Sequence, residues 1–301
     1  FLHGQPAKKA RCAVHTEGYT VGSPAMLRTD VYFFHAAHKH YKRRATIMTQ
    51  TLTSKKSVAI TGSTLKIIAI ISMLIDHIGA SLVEPYVIRA IPTGGTLFDA
   101  SQNILIPYLV LRLIGRIAFP IFCFLIVEGF LHTHNLKNYM VRLFLFALIS
   151  EIPFDLSFNG SVLEFSHQNV FFTLFLGLVA VALLARAETV SENRFLRVCC
   201  NVAAILLPCA AAELLSTDYS AVGVLAIVLI YLYRNNSRTV QMLLPCVVLM
   251  ASSVLEITAW LCIPLIRAYN GLRGIRIKYF FYAFYPGHLL ILWLIGKYLL
   301  F

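Results

Sequence analysis

After residue 64 the apolar positions fall in runs of roughly 17–25 residues, about the length that crosses a bilayer as a helix. Lipid offers no hydrogen-bond partners, so such runs must be helical and satisfy their own backbone groups. The runs lie at about 65–84, 117–133, 140–158, 169–186, 196–215, 219–234, 240–266 and 279–300. Residues 85–116 read as a long connection carrying Pro85, Pro92, Gly94, Gly95, Asp99, Gln102 and Asn103. The later part of that connection, ILIPYLVLRLIG, is apolar but short, which fits a re-entrant or interfacial helix better than a span. No internal repeat is visible. The pattern predicts an all-α, polytopic integral membrane helical bundle of about eight transmembrane helices, with eight to ten as the range.

Composition strengthens that picture. Of 301 residues 58% are hydrophobic and only 13% charged, where soluble domains carry about 25% charged residues. The net charge of +12 suggests nucleic acid at first sight. However, eight Lys/Arg against two acids lie within residues 1–47, and the other basic residues cluster at span ends. Charges placed so orient a membrane protein, and no nucleic-acid partner is expected. Residues 1–63 read as a basic extension ahead of a membrane domain at 64–301. Within it, 1–47 begin with Phe, hold five of the ten histidines and lack a signal-peptide pattern. They are expected to be disordered, or to be upstream reading frame translated in error. The seven cysteines lie mostly inside spans with no CxxC, and read as buried small hydrophobes rather than disulfides or metal ligands.

Loop charges orient the spans. Lys55, Lys56 and Lys66 flank the first span on its N-terminal side, and Lys137, Arg142, Arg186, Arg194, Arg197, Arg234 and Arg238 occupy alternate loops that then share that side. The loops 157–168 and 213–218 carry only acids. The rule then fails at 267–278, RAYNGLRGIRIK, which eight simple spans would put on the wrong side. Either 240–266 does not cross once, or the basic loop is outside for a functional reason.

Ionisable residues at membrane depth cost a few kcal/mol and are functional candidates by default. Asp76 and His77 sit about three turns into the first span. A carboxylate can fix the tautomer of an imidazole, and neutral His suits proton removal. Adjacent helical residues do not face each other, so Asp76 can equally pair with another helix. Arg112 and Arg116 are four apart on one face, suited to lipid phosphate or to a thioester oxygen. Glu151 and Asp155 share a face across a kink expected at Pro153, as a catalytic pair or as an ion-pair network with Arg116 or Arg142. His288 follows Pro286, where a broken helix frees backbone groups for a site. Glu256 reads chiefly as a packing residue. Walker, GxGxxG, HExxH and GxSxG motifs are all missing, which disfavours NTPases, nicotinamide enzymes, zinc proteases and serine hydrolases.

Four blocks then resemble a known family. LKIIAIISMLIDHIGA, RLIGRIAFPIFCFLIVEGFLHTHNLKNYMVRLFLFALISEIPFD, the NVFFTL run from Asn169 and YNGLRGIRIKYFFYAFYPGHLLIL look like the TraX family, in order, from about 65 to 300. The resemblance implies a transmembrane acyltransferase of the bacterial inner membrane. Its implied acyl donor is acetyl-CoA, without a metal, and its acceptor is the N-terminal amine of pilin or another small envelope molecule. Site residues carried over on that basis are His77 as base, with Asp76, Arg116, Glu151, Asp155 and His288 around it. Arg273, Arg276 and Lys278 are the candidates for coenzyme phosphates. A proton-coupled transporter or flippase working through Asp76, Glu151 and Asp155 is the alternative.

Overall fold

The structure, a computed structural model, describes residues 59–190, 193–275 and 278–300. Residues 1–47, and nearly all of the extension 1–63, fall outside the described residues. Among the described residues there are helices and two isolated bridges but no strand.

The helices are α1 (Gly62–Ile78), α2 (Glu84–Arg89), α3 (Gln102–Gly115), α4 (Ala118–His132), α5 (Leu136–Phe158), α6 (Val170–Val190), α7 (Arg194–Leu214), α8 (Ser220–Leu232), α9 (Arg238–Ser252), α10 (Cys262–Arg267) and α11 (Lys278–Ile295). A π-helical turn, Gly79–Val83, joins α1 to α2, and another, Gly296–Leu300, prolongs α11. Caps come from the polar residues that the breaks supply. Thr61 accepts from the Thr64 N–H, Asn135 from Asn138 and Ser237 from Val240. Five helical segments are long and apolar enough to cross a membrane: Gly62–Arg89, Gln102–His132, Val170–Thr189, Arg194–Leu214 and Tyr279–Leu299. The chain is a multi-pass all-α membrane protein.

The structure corrects one sequence expectation and decides between two others. The 85–116 connection is mostly helical: the first helix runs on to Arg89, and α3 continues through a short turn into α4 as one long apolar pass. Short apolar stretches can do this when a neighbouring helix covers them, and α3 lies against α1 through Gly115. The 240–266 stretch is not one helix. It breaks at extended Ser253, passes through a 3-10 segment, Val254–Leu261, and returns as α10.

That break settles the threading. Arg238, opening α9, reaches Glu128 at 3.1 Å and lies 5.8 Å from the ring of Tyr269, just beyond α10. The α9–α10 unit is therefore a re-entrant hairpin that leaves and returns at one end of the bundle. The Cys246 and Cys262 sulfurs, 3.8 Å apart, mark the contact between its two arms. Loop 268–273 is sewn to the start of α1 by Ile60 N–H to Ala268 O, Gly62 N–H to Leu272 O and Ser63 N–H to Arg273 O. Gly274, with φ of 73°, lets the loop press on Ser63 where a Cβ would overlap the serine hydroxyl. The basic 267–275 loop thus shares an end with Lys137, Arg186, Arg194, Arg234 and Arg238, and the charge rule is obeyed.

The opposite end is closed by a parallel pairing of two loops. Gln168 N–H donates to Ser216 O, and Asp218 N–H to Gln168 O. Pro153 lies inside the unbroken helix α5, whose carboxylates are used to hold this end.

Candidate functional site

Near mid-membrane, α1, α3, α4 and the tip of the re-entrant hairpin meet around one carboxylate. Asp76 accepts from Arg112 at 2.9 Å and from Arg116 at 2.6 Å. Arg116 also donates to Glu256 at 3.1 Å and to the Tyr219 hydroxyl at 3.2 Å. Two guanidinium groups and two carboxylates thus offset each other where an unpaired charge would be costly. The approach depends on Gly115, because a Cβ there would overlap the Asp76 side chain. Ser72 fastens the same crossing by donating to Ile114 O at 2.6 Å. Thr258, at the hairpin tip, donates to Leu113 O at 2.6 Å. Glu256, read from sequence as a packing residue, is buried in this network.

His77 points elsewhere. Consecutive helical residues diverge by about 100°, so Asp76 faces the arginines while His77 faces α11. The expectation that a carboxylate orients His77 is therefore replaced: its Nδ1 lies 2.7 Å from Nε2 of His288. The hydrogens of this pair follow from its surroundings. His288 Nδ1 is 2.8 Å from the Phe284 carbonyl, which can only accept, so Nδ1 carries the hydrogen. Neutral His288 then offers a lone pair at Nε2, and His77 must donate from Nδ1. That leaves Nε2 of His77 with a lone pair. A backbone carbonyl thus performs the tautomer selection usually assigned to a carboxylate. Phe158 and Tyr285 meet the His77 ring edge-on at 5.5 and 5.8 Å.

His77, Asp76, Arg112 and Arg116 line a cavity of about 270 Å³, together with Glu84, His167, Asp218 and Tyr219. Its apolar wall includes Met73, Phe119, Phe122, Phe154 and Phe158. The Arg112 Nε–H, beside it, is buried without a partner among the described residues. Within the lining, His167 Nε2 and an Asp218 carboxylate oxygen stand 4.0 Å apart. The turn that delivers Asp218 and Tyr219 is strained: Ser216, Tyr219 and Ser220 all have positive φ, at roughly 1–3 kcal/mol each. Tyr219 stacks on Phe119 with centroids 3.6 Å apart, which fixes its hydroxyl on Arg116.

The structure brings together Asp76, His77, Arg116 and His288 of the expected set, and adds Arg112, Tyr219 and Glu256. Glu151 and Asp155 stand outside the cavity lining, and among the described residues neither forms an ion pair with Arg116 or Arg142. Glu151 binds the Asn169 side chain, which also donates to Ala147 O and caps the start of α6. Asp155 accepts from the Glu164 N–H at 2.8 Å and from Asn159 at 3.3 Å. Both carboxylates hold the loop that carries His167. Arg273 lies at the basic end beside Ser63, about 21 Å along α1 from His77 at 1.5 Å per residue. Arg276 and the side chain of Lys278 lie outside the described residues. Tyr219 carries no sequence signal, being one tyrosine among fourteen.

Residues 61–296 match the family described as TraX protein. This chain belongs to the TraX family. A relative in Dichelobacter nodosus, a probable fimbrial assembly protein FimC, is 31% identical over 254 residues, covering 76% of this chain and 92% of its own length. No solved structure gives a significant match. The matched span of this TraX chain holds every residue of the cavity and its polar network.

Proposed function

We propose that this TraX chain is an acyltransferase of the bacterial inner membrane, moving an acetyl group from acetyl-CoA to the N-terminal amine of pilin or of another envelope acceptor. The observation that carries this reading is the Phe284 carbonyl–His288–His77 chain, which leaves a lone pair at Nε2 of a residue lining a cavity inside the helical bundle. The family match and the fimbrial assembly relative support the choice of a pilus-related acceptor.

In this mechanism Nε2 of His77 takes the proton from the acceptor nitrogen as that nitrogen bonds to the thioester carbon. Arg112, which lines the cavity, holds the developing oxyanion. Arg116, expected from sequence to do this, is committed to Asp76, Glu256 and Tyr219, and instead keeps Arg112 and the hairpin tip in register. Collapse breaks the carbon–sulfur bond, and the thiolate recovers the proton from His77. A cavity of about 270 Å³ is suited to the reacting ends alone, below the usual size for a whole ligand. The donor phosphates then lie outside this cavity, and Arg273, beside Ser63 at the basic end, is the candidate to hold them. Of the three carboxylates of the transporter alternative, Asp76 is held by two arginines and Asp155 by a loop N–H, while Glu151 keeps one buried oxygen without a partner among the described residues.

The test is transfer of radiolabelled acetyl from acetyl-CoA to purified pilin in membranes carrying the protein. His77→Ala and His288→Ala should each lower the rate by about 10²–10⁴, the range for a lost general base. The double variant should be no slower than the worse single, because the two act as a unit. Labelling unchanged by His77→Ala would falsify the assignment.

A further inference from the structure

At the end of the bundle poor in basic residues, Arg89 and Lys297 are the Lys/Arg residues among those described, and both line a single crevice of about 300 Å³. It opens between the π-helical turn after α1, the end of α5 and the end of α11. Ser81, Ser157, Trp293, Leu156 and Leu292 complete its working surfaces. The Ser81 and Ser157 hydroxyls, both in the lining, lie 3.0 Å apart. Lys297 is exposed, and its ammonium sits 4.8 Å from the Trp293 ring and 5.4 Å from the Tyr298 ring at the edge of the crevice.

We propose that this crevice binds the phosphate headgroup of an anionic phospholipid from the adjoining leaflet. Arg89 and Lys297 supply the charge, the serine pair leaves at most one hydroxyl hydrogen to donate, and the leucines offer an apolar wall for an acyl chain. Trp293 belongs at the level where hydrocarbon meets headgroup. Basic residues between membrane helices recognise lipid headgroups in this way. Charge placement favours the assignment, because cations are scarce at this end and the two present converge. Both π-helical turns border the crevice, and such turns in helices frequently mark functional positions. The inference is independent of acyl transfer, as the crevice shares no lining residue with the His77 cavity.

Trp293 provides a local reporter, the other tryptophan being Trp260. The full chain carrying Trp260→Phe is placed in vesicles containing phosphatidylglycerol or phosphatidylcholine with brominated acyl chains, and Trp293 quenching is titrated. At about fivefold per cation near an anionic surface, phosphatidylglycerol should be preferred by on the order of tenfold or more. Arg89→Gln with Lys297→Gln should abolish that preference, and Lys297→Arg should retain it. If Trp260→Phe does not fold, the unsubstituted chain is used and the signal of Trp293→Phe subtracted. Equal quenching by the two lipids, or a preference that survives loss of both charges, overturns the proposal. Displacement of the bromolipid by inorganic phosphate at constant ionic strength assigns the crevice to free phosphate, and overturns it equally.

Discussion

At the level of single residues, this site depends on what each side chain is denied as much as on what it is given. Asp76 and His77 are neighbours in sequence and strangers in space, because one helical step turns them onto different partners. Their presence inside an apolar run marked both as significant; their partners lay 36 to 211 positions away and left no mark in that run. Gly115 shows the same dependence from the other side. It lets α3 approach α1 until Arg112 and Arg116 reach Asp76, and its hydrogen is the largest group the gap admits. Gly115→Ala should therefore destabilise the protein by about 1–3 kcal/mol through overpacking, although alanine is the better helix former. It should also lower acetyl transfer. Thermal unfolding in detergent would check the first effect, and an unchanged midpoint would mean the crossing is looser than described.

Among the elements, the re-entrant hairpin has the most consequence. Its length in sequence matches a span, yet Ser253 adopts extended backbone and the chain turns back after a 3-10 segment. Irregular backbone at this depth needs polar partners inside the protein. Here the tip finds them through Thr258 on Leu113 O and Glu256 on Arg116. The stability of the tip is thus linked to the charge network, with an order that can be measured. Asp76→Asn strips both arginines of a main counter-charge and should cost about 3–5 kcal/mol. Glu256→Ala leaves Arg116 its bonds to Asp76 and Tyr219, and should cost about 1.5–3 kcal/mol, the worth of one charged hydrogen bond. Unfolding midpoints in detergent should fall in that order, and the reverse order would displace Asp76 from the centre of the network. The α5 carboxylates teach the complementary lesson: their i,i+4 spacing puts them on one face, but the face meets a loop with donors of its own.

For the molecule as a whole, the hairpin reconciles topology with charge. All loops rich in Lys and Arg gather at the end where α1 begins, including the 267–275 segment that eight simple spans would misplace. Single cysteines introduced at Asn236 and Leu272 should react with an impermeant maleimide from the same side, and one at Asn159 from the other. Labelling of 236 and 272 from opposite sides would restore a full crossing between them. The same arrangement separates function along the membrane normal. The His77 cavity is central, Arg273 lies about 21 Å away at the basic end, and the Arg89–Lys297 crevice stands at the opposite end.

Apolar run length and the scarcity of charge were enough to establish a helical membrane protein, because the bilayer acts on every segment independently. The residues worth suspecting were legible for the same reason, since each isolated polar group in such a run carries its own cost. Which of them act together was decided only by helix crossings and by one broken segment. Those depend on small contacts such as Gly115 on Asp76, on a proton fixed by the Phe284 carbonyl, and on a turn at Ser253 that follows from partners distant in the chain.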